Sequence, residues 1–368
     1  MTGFALYRLP YEQQVTLVAQ SEGEPLELTS CEALNGLSGF VVAPFVISSE
    51  LPLILIRPDV LKTYSQPDES IVAGLEAQLG LLKVTTSLVV GHNKPSCDER
   101  VAYADDFARF HRCLEDSCFQ KIVLSRCSVV PLKGETTPFA LFQRACEMYP
   151  RMFISLAYTP RSGMWLTATP EILLEGVDNQ WRTIALAGTM KLEGEDLLGE
   201  GERLTWSTKN IQEQRFVATY LKDCLDQFAN DIHEEGPRTV RAANLVHLRS
   251  DFTFTLYDNA RVGTLLQALH PTPAVCGLPK QEAYDFILDN EHTPRLYYSG
   301  FMGPLNLQPP TSNLKSPTHL YVSLRCMHIT DCQYRLYAGG GLLKDSVEEQ
   351  EWQETEAKME TMRRVLKA

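Results

Sequence analysis

An α+β fold with antiparallel strand pairing follows from three observations on the 368-residue sequence. Extended runs rich in β-branched and aromatic residues are separated by short polar turns. Helical spacing is confined to a few segments set between those runs. No fixed-period repeat is present.

Residues 1–95 read as short strands and loops, with LPLILI (51–56) and TTSLVVG (85–91) the clearest strands. The pattern changes at about residue 96. Ser96 or Asp98 can cap a helix that carries Val101, Phe107, Phe110 and Leu114 at helical spacing. This places a loose boundary between a strand-rich segment, 1–95, and a main unit, 96–368. The first has too few helix or core signals for an independent domain and is expected to pack onto the second in one compact unit.

Beyond the boundary, strands are predicted at KIVLSRCSVV (121–130), MFISLAYT (152–159), GMWLTATPEILLEG (163–176) and WRTIALAGTM (181–190). A helix follows from about Ser207 to Leu225, then the extended VRAANLVHLRSDFTFTLY (240–257). Two helices near 262–269 and 280–289 lead into the β-like runs RLYYSGFMG, HLYVSLRCMHIT and YRLYAGGGLL. The last helix spans about Ser346 to Leu366. Its early Glu348, Glu349 and Glu351, and its late Arg363, Arg364 and Lys367, suit the helix dipole.

Composition narrows the function. The chain is 44% hydrophobic and 22% charged, ordinary for a globular protein, and its formal net charge is −12. Such a field repels nucleic acid and anionic membranes, and no compensating basic patch is present. An anionic ligand would need a few buried cations or a bound metal. The ten cysteines are scattered without a CxxC pair, and the eight histidines include no HxxxH pair, which argues against a disulfide framework and a zinc site. The N-terminus lacks a signal-peptide pattern, and the most apolar stretch, 39–56, is broken by Pro44, Ser48, Ser49 and Glu50. A cytoplasmic location is expected.

Several residues could carry chemistry. Lys121 opens an apolar strand; it is either at an exposed strand end or buried, and a buried lysine can serve as a general base. Glu171 lies within TATPEILLEG, either at a wet strand edge or in apolar surroundings that would raise its pKa and make it a general acid. Glu213 sits on an amphipathic helix. Glu351 and Glu354 lie on the final helix, with Lys358 one turn after Glu354. A Glu–Lys pair at that spacing is ordinarily a solvated surface pair, although carboxylates from two helices can also converge on Mg²⁺. Arg325 interrupts the strand YVSLRCMHI. The Gly339-Gly340-Gly341 run matches no nucleotide loop but permits close backbone approach.

In order, the segments FQKIVLSR (119–126), TATPEILLEG (167–176), ALAGTM (185–190), KNIQEQRFV (209–217), LHPTPAVCGLPKQEA (269–283), LRCMHI (324–329), RLYAGGGLL (335–343) and EWQETEAK (351–358) resemble the chorismate-utilising enzymes, most closely the isochorismate synthases. The resemblance implies a large antiparallel β-sandwich wrapped by helices, with the site in a cleft. It matches Lys121 to the base that activates water for attack at C2. Glu171 matches the acid that protonates the departing C4 hydroxyl, and Glu213 and Glu354 the carboxylates that bind Mg²⁺. Gly188, Arg325, Gly339 and Lys358 match contacts to substrate carboxylates, and Ala274 a position beside the ring. Two departures stand out. Met190-Lys191 occupies a place where many relatives carry arginine, and Gln214 follows Glu213 where histidine is common.

Within the family, a lysine at the base position implies water rather than ammonia as nucleophile, so no glutamine amidotransferase partner is expected. ALAGTM lacks the lysine of a PIKGT-like segment, which argues against the amine-transferring synthases. Salicylate synthases share the lysine and go on to eliminate pyruvate; they usually carry a TxSGxPK-type segment where this chain has TPAVCGLPK. The resemblance therefore implies Mg²⁺-dependent conversion of chorismate to isochorismate, with salicylate synthase as the alternative and an inactive binding protein on the same scaffold behind it. A monomer is expected, since no coiled coil or extended apolar patch is visible.

Overall fold

The structure is a computed structural model that describes residues 1–65, 98–132, 136–191, 205–242, 245–308 and 317–367. The strand expected at 85–91 and the possible cap Ser96 lie outside these residues.

Two nine-stranded sheets form the body. In the first, the order is β14 (Gly277–Leu278), β7 (Lys121–Pro131), β18 (Gln333–Leu342), β17 (Cys326–Ile329), β9 (Gly163–Thr169), β8 (Phe153–Thr159), β1 (Gly3–Arg8), β2 (Val15–Gln20) and β6 (Val60–Tyr64). In the second it is β12 (Ala229–Ala242), β13 (Leu245–Leu256), β11 (Gln180–Lys191), β10 (Ile172–Val177), β16 (Thr318–Val322), β15 (Phe301–Leu305), β4 (Gly39–Ala43), β5 (Leu53–Ile56) and β3 (Leu26–Leu28). The pairings in both sheets are antiparallel. Strands from the first 65 residues thus form one end of each sheet.

The strands alternate between two apolar environments rather than between core and water. In β1, Ala5 and Tyr7 face the inner core between the sheets, with Trp165, Phe40 and Tyr321. Phe4 and Leu6 face outward, onto helices α2 (Pro138–Met148) and α6 (Glu348–Lys367). The outer face of the second sheet is covered by α3 (Thr208–Leu225) and α4 (Val262–Leu269), through Val217, Leu221, Leu265 and Leu269. Helices α1 (Glu99–Glu115) and α5 (Lys280–Asn290) close the β14–β7 end with Phe107, Phe110 and Ile287. Caps set the helix starts: Asp98 accepts from Arg100 N, Thr137 from Ala140 N and Ser207 from Asn210 N.

Three runs predicted as continuous each prove to hold two strands; VRAANLVHLRSDFTFTLY contains the end of β12 and all of β13, which pair with each other. GMWLTATPEILLEG leaves the first sheet at Thr169 and enters the second at Ile172, with Pro170-Glu171 as the crossover. HLYVSLRCMHIT makes the reverse passage between Val322 and Cys326, with Arg325 at φ +47°. Glu171 and Arg325 are therefore crossover residues, not strand residues. The two crossovers bond to each other, Val322 N donating to Glu171 O (2.9 Å) and Ala168 N to Arg325 O (3.3 Å). Strands that change sheet at a bend make the corners of a sandwich. RLYYSGFMG is likewise only partly extended: 295–300 is a turn, with positive φ at Leu296 and Ser299, before β15 begins.

Candidate active site

The corner formed by the two crossovers is one wall of a small cleft between the two sheets and helices α3 and α6. Glu171, Gly188, Glu213, Ala274, Arg325, Gly339 and Lys358 all line it. The structure brings together every predicted site residue: Lys121 sits directly behind Glu213, and Glu354 is paired with Lys358.

Lys121 heads β7 yet is fully buried, which settles the alternative left open by its strand-end position. Its Nζ lies 3.1 Å from Glu213 Oε1 on α3. Glycine on the neighbouring strand makes the approach possible. A Cβ on Gly341 would overlap Glu213 Oε1 and stand 2.7 Å from Lys121 Cε. Burial alone would raise the Glu213 pKa, but Lys121, Lys209 and Lys358 together hold it below the ordinary value.

Glu171 is 5% exposed, and its pKa rises to about 7. Burial is the cause; Lys121, Lys358 and Arg325 oppose it, and Glu213 adds to it. A carboxyl that holds its proton near neutrality can donate it. The acid and the lysine thus differ in kind of environment: one is desolvated without a close partner, the other is pressed against a carboxylate.

Gly188 interrupts β11 at a bulge, with φ +70°, which favours glycine, and Asn210 would stand only 3.1 Å from an added Cβ. Its N–H donates to Glu213 Oε2 at 3.2 Å, while its carbonyl accepts from His247 Nδ1 at 3.1 Å. His247 Nε2 in turn contacts Arg325 Nη2. Arginine can only donate, so Nε2 is the acceptor and the imidazole proton sits on Nδ1. Burial first, then Arg325 and Lys358, hold the His247 pKa well below its usual value, so the ring is a neutral connector. Arg325 Nη1 also donates to Ala242 O at 3.1 Å. Nothing in the sequence marked His247, which lies inside an apolar β run without a motif around it.

Helix α6 supplies the remaining charges. Lys358 Nζ donates to Gly339 O (2.8 Å) and pairs with Glu354 Oε1 (2.7 Å). The pair is about one-fifth exposed, so it is not the solvated surface pair its spacing suggested. Glu351, one turn earlier, is buried against Lys209 of α3. Its pKa is raised by burial and then by Glu354. Glu351 Oε2 and Glu354 Oε1 lie 3.4 and 3.6 Å from the position of a Cβ on Gly340, next to the Glu213 contact over Gly341. Carboxylates from α3 and α6 thus stand against successive glycines of β18, and Lys209 is within electrostatic reach of all three. Among the described residues no three such groups enclose a metal unaided. Mg²⁺ ordinarily takes one or two carboxylates and completes its shell with water and substrate oxygens, so Glu213 and Glu354 suit it as a donor set. Gln214 turns away from the cleft and donates to Ala185 O (3.3 Å) and Ser250 Oγ (3.2 Å).

Comparisons with known proteins identify the family and the fold. A family model described as "Chorismate binding enzyme" matches residues 81–367, and the chain belongs to that family. Over 245 residues it is 28% identical to isochorismate synthase EntC of Escherichia coli (66% of this chain, 61% of that protein). Over 248 residues it is 34% identical to isochorismate synthase MenF of the same organism (67% of this chain, 56% of that protein). The matched segments thus span less than two thirds of these relatives. The putative 2,3-dihydroxybenzoate-specific isochorismate synthase DhbC from Bacillus anthracis superposes with a TM-score of 0.78 at 21% identity, covering 99% of this chain and 96% of that one. Its fold is the one expected here. Among the described residues no helix is long and apolar enough to cross a membrane.

Proposed function

We propose that this chain is an isochorismate synthase that adds water at C2 of chorismate as the C4 hydroxyl departs. The observation that carries the reading is the pairing, at one cleft, of a fully buried lysine with a carboxyl whose pKa lies near 7. Lys121 takes a proton from the incoming water. Glu171 gives a proton to the C4 oxygen, which leaves as water while the ring double bond shifts. Arg325, held by His247 and Ala242 O, and Lys358, held by Gly339 O, offer fixed cations to the two substrate carboxylates. Glu213 and Glu354 would hold Mg²⁺, which supplies charge neutralisation for a substrate carboxylate. These cations let an acidic protein take a dianion.

The test is incubation of purified protein with chorismate, with and without Mg²⁺, followed by chromatography and an assay of free pyruvate. Isochorismate without pyruvate, formed only with Mg²⁺, is the expected result. Salicylate with equivalent pyruvate would replace the reading with a salicylate synthase. Lys121→Ala should remove turnover and leave the fold intact; retained turnover would remove Lys121 from the mechanism.

A further inference from the structure

Behind the cleft, and outside its lining, lies another buried ion pair. Glu291, just past the end of α5, and Arg295, in the turn before β15, are both buried, with side chains 2% and 3% exposed. Arg295 Nε donates to Glu291 Oε2 (2.6 Å) and Nη2 to Oε1 (2.8 Å), a two-pronged pairing. The guanidinium has donors to spare, and they reach backbone. Nη1 donates to Val275 O (2.7 Å) and Nη2 to Val123 O (2.9 Å). Glu291 Oε1 also accepts from Ser125 N (2.6 Å), and the Phe45 ring lies 4.3 Å from the guanidinium carbon.

The partners of this pair have a common feature. Val123 and Val275 both line the cleft, Val275 follows Ala274, and Val123 lies two residues along β7 from Lys121. The 272–279 segment joins β7 directly through Val123 N to Cys276 O (2.6 Å), and Gln120 N to Leu278 O (2.8 Å). The ion pair adds a brace across the same seam. A surface pair would contribute little, but a fully buried guanidinium with four bonds fixes geometry, because any displacement strands a charge or a carbonyl.

We propose that Glu291 and Arg295 are positioning residues that lock the Ala274–Val275 wall to the Lys121 strand and so fix where the substrate ring sits relative to the base. The inference rests on the chorismate reading for its kinetic consequence, but its mechanical part stands alone. Neither residue lines the cleft, so the pair acts through the backbone it holds. Lysine cannot replace arginine in this role: it restores the charge opposite Glu291 but cannot fork to two carbonyls.

Arg295→Lys and Arg295→Met, beside wild type, test the proposal in three readouts: thermal stability, kcat and KM for chorismate, and amide exchange of segments 121–126 and 272–279. Arg295→Lys should recover most of the stability lost in Arg295→Met, yet keep a kcat lower by roughly 30-fold, with KM within about 3-fold of wild type. Exchange in both segments should be faster in both variants. If kcat recovers together with stability in Arg295→Lys, the pair serves folding alone and the proposal falls. If Arg295→Met does not fold, the comparison of Arg295→Lys with wild type decides on the same criteria. If wild type does not turn over chorismate, the functional reading fails, and exchange decides the brace by itself. Faster exchange sustains it, and unchanged exchange overturns it.

Discussion

Replacing Glu171 by glutamine separates the cost of the acid from its use. The buried carboxyl has a pKa of about 7 in the folded protein, against an ordinary value of 4.5. A group whose pKa is raised by folding contributes stability that is fully present below the unfolded value and is lost as pH rises through the folded value. Here the loss begins near pH 4.5 and is complete above about pH 7. At about 1.4 kcal/mol per pH unit, the gap corresponds to about 3 kcal/mol at full ionisation. A glutamine side chain keeps the shape of the acid and never ionises. Glu171→Gln should therefore lie within about 1 kcal/mol of wild type at pH 5 and be more stable by about 3 kcal/mol at pH 8. Urea denaturation at the two pH values, in metal-free buffer, measures the difference. The same variant should lose about 10²-fold or more in turnover at neutral pH, as expected for removal of a general acid. A stability difference that does not change between pH 5 and pH 8 would refute the claim that burial keeps this carboxyl protonated.

Three further outcomes are expected. Gly341→Ala puts a methyl group where Lys121 and Glu213 meet, so turnover should fall at least about 100-fold while circular dichroism is unchanged; near wild-type kcat would show that the contact is dispensable. His247→Leu leaves Arg325 Nη2 without its acceptor inside the protein, and should cost about 1–3 kcal/mol in stability and raise KM for chorismate more than it lowers kcat. Trp352 lies on α6 between the guanidiniums of Arg126 (3.6 Å from the ring centre) and Arg100 (4.9 Å), with Tyr103 of α1 edge-on at 5.2 Å. Trp352→Ala should destabilise the protein by about 3 kcal/mol and weaken Mg²⁺ dependence, because the helix that carries Glu354 and Lys358 loses its anchor; a metal titration at 25 °C reads the second effect.

Five of the six described helices were read from sequence because capping residues and one-sided apolar spacing are local signals: Ser207 and the final acidic-to-basic helix both stand close to where they were expected, whereas α2, capped by Thr137, was missed. The crossovers were not, and the reason is physical. Both faces of these sheets are covered, one by the other sheet and one by helices, so β9 and β10 read as one apolar run with no polar side to mark the bend. The same double burial hid β1 and β2, whose residues are all buried and show no alternation. Lys121 was ambiguous because its burial depends on Gly341, which is far away in sequence. Each site residue was legible only through its motif. That the acid and the arginine stand at paired bends, with a histidine linking the arginine to the Gly188 bulge, needed three dimensions.

Because the Glu171 and Arg325 peptides lie in crossovers that hydrogen-bond to each other where the chain passes between layers, this corner is also the hinge pin of the sandwich. A ligand gripping both side chains would fasten one layer to the other. Occupancy should then slow breathing of the two sheets at positions far from the cleft, and the scaffold as a whole would register when its site is full.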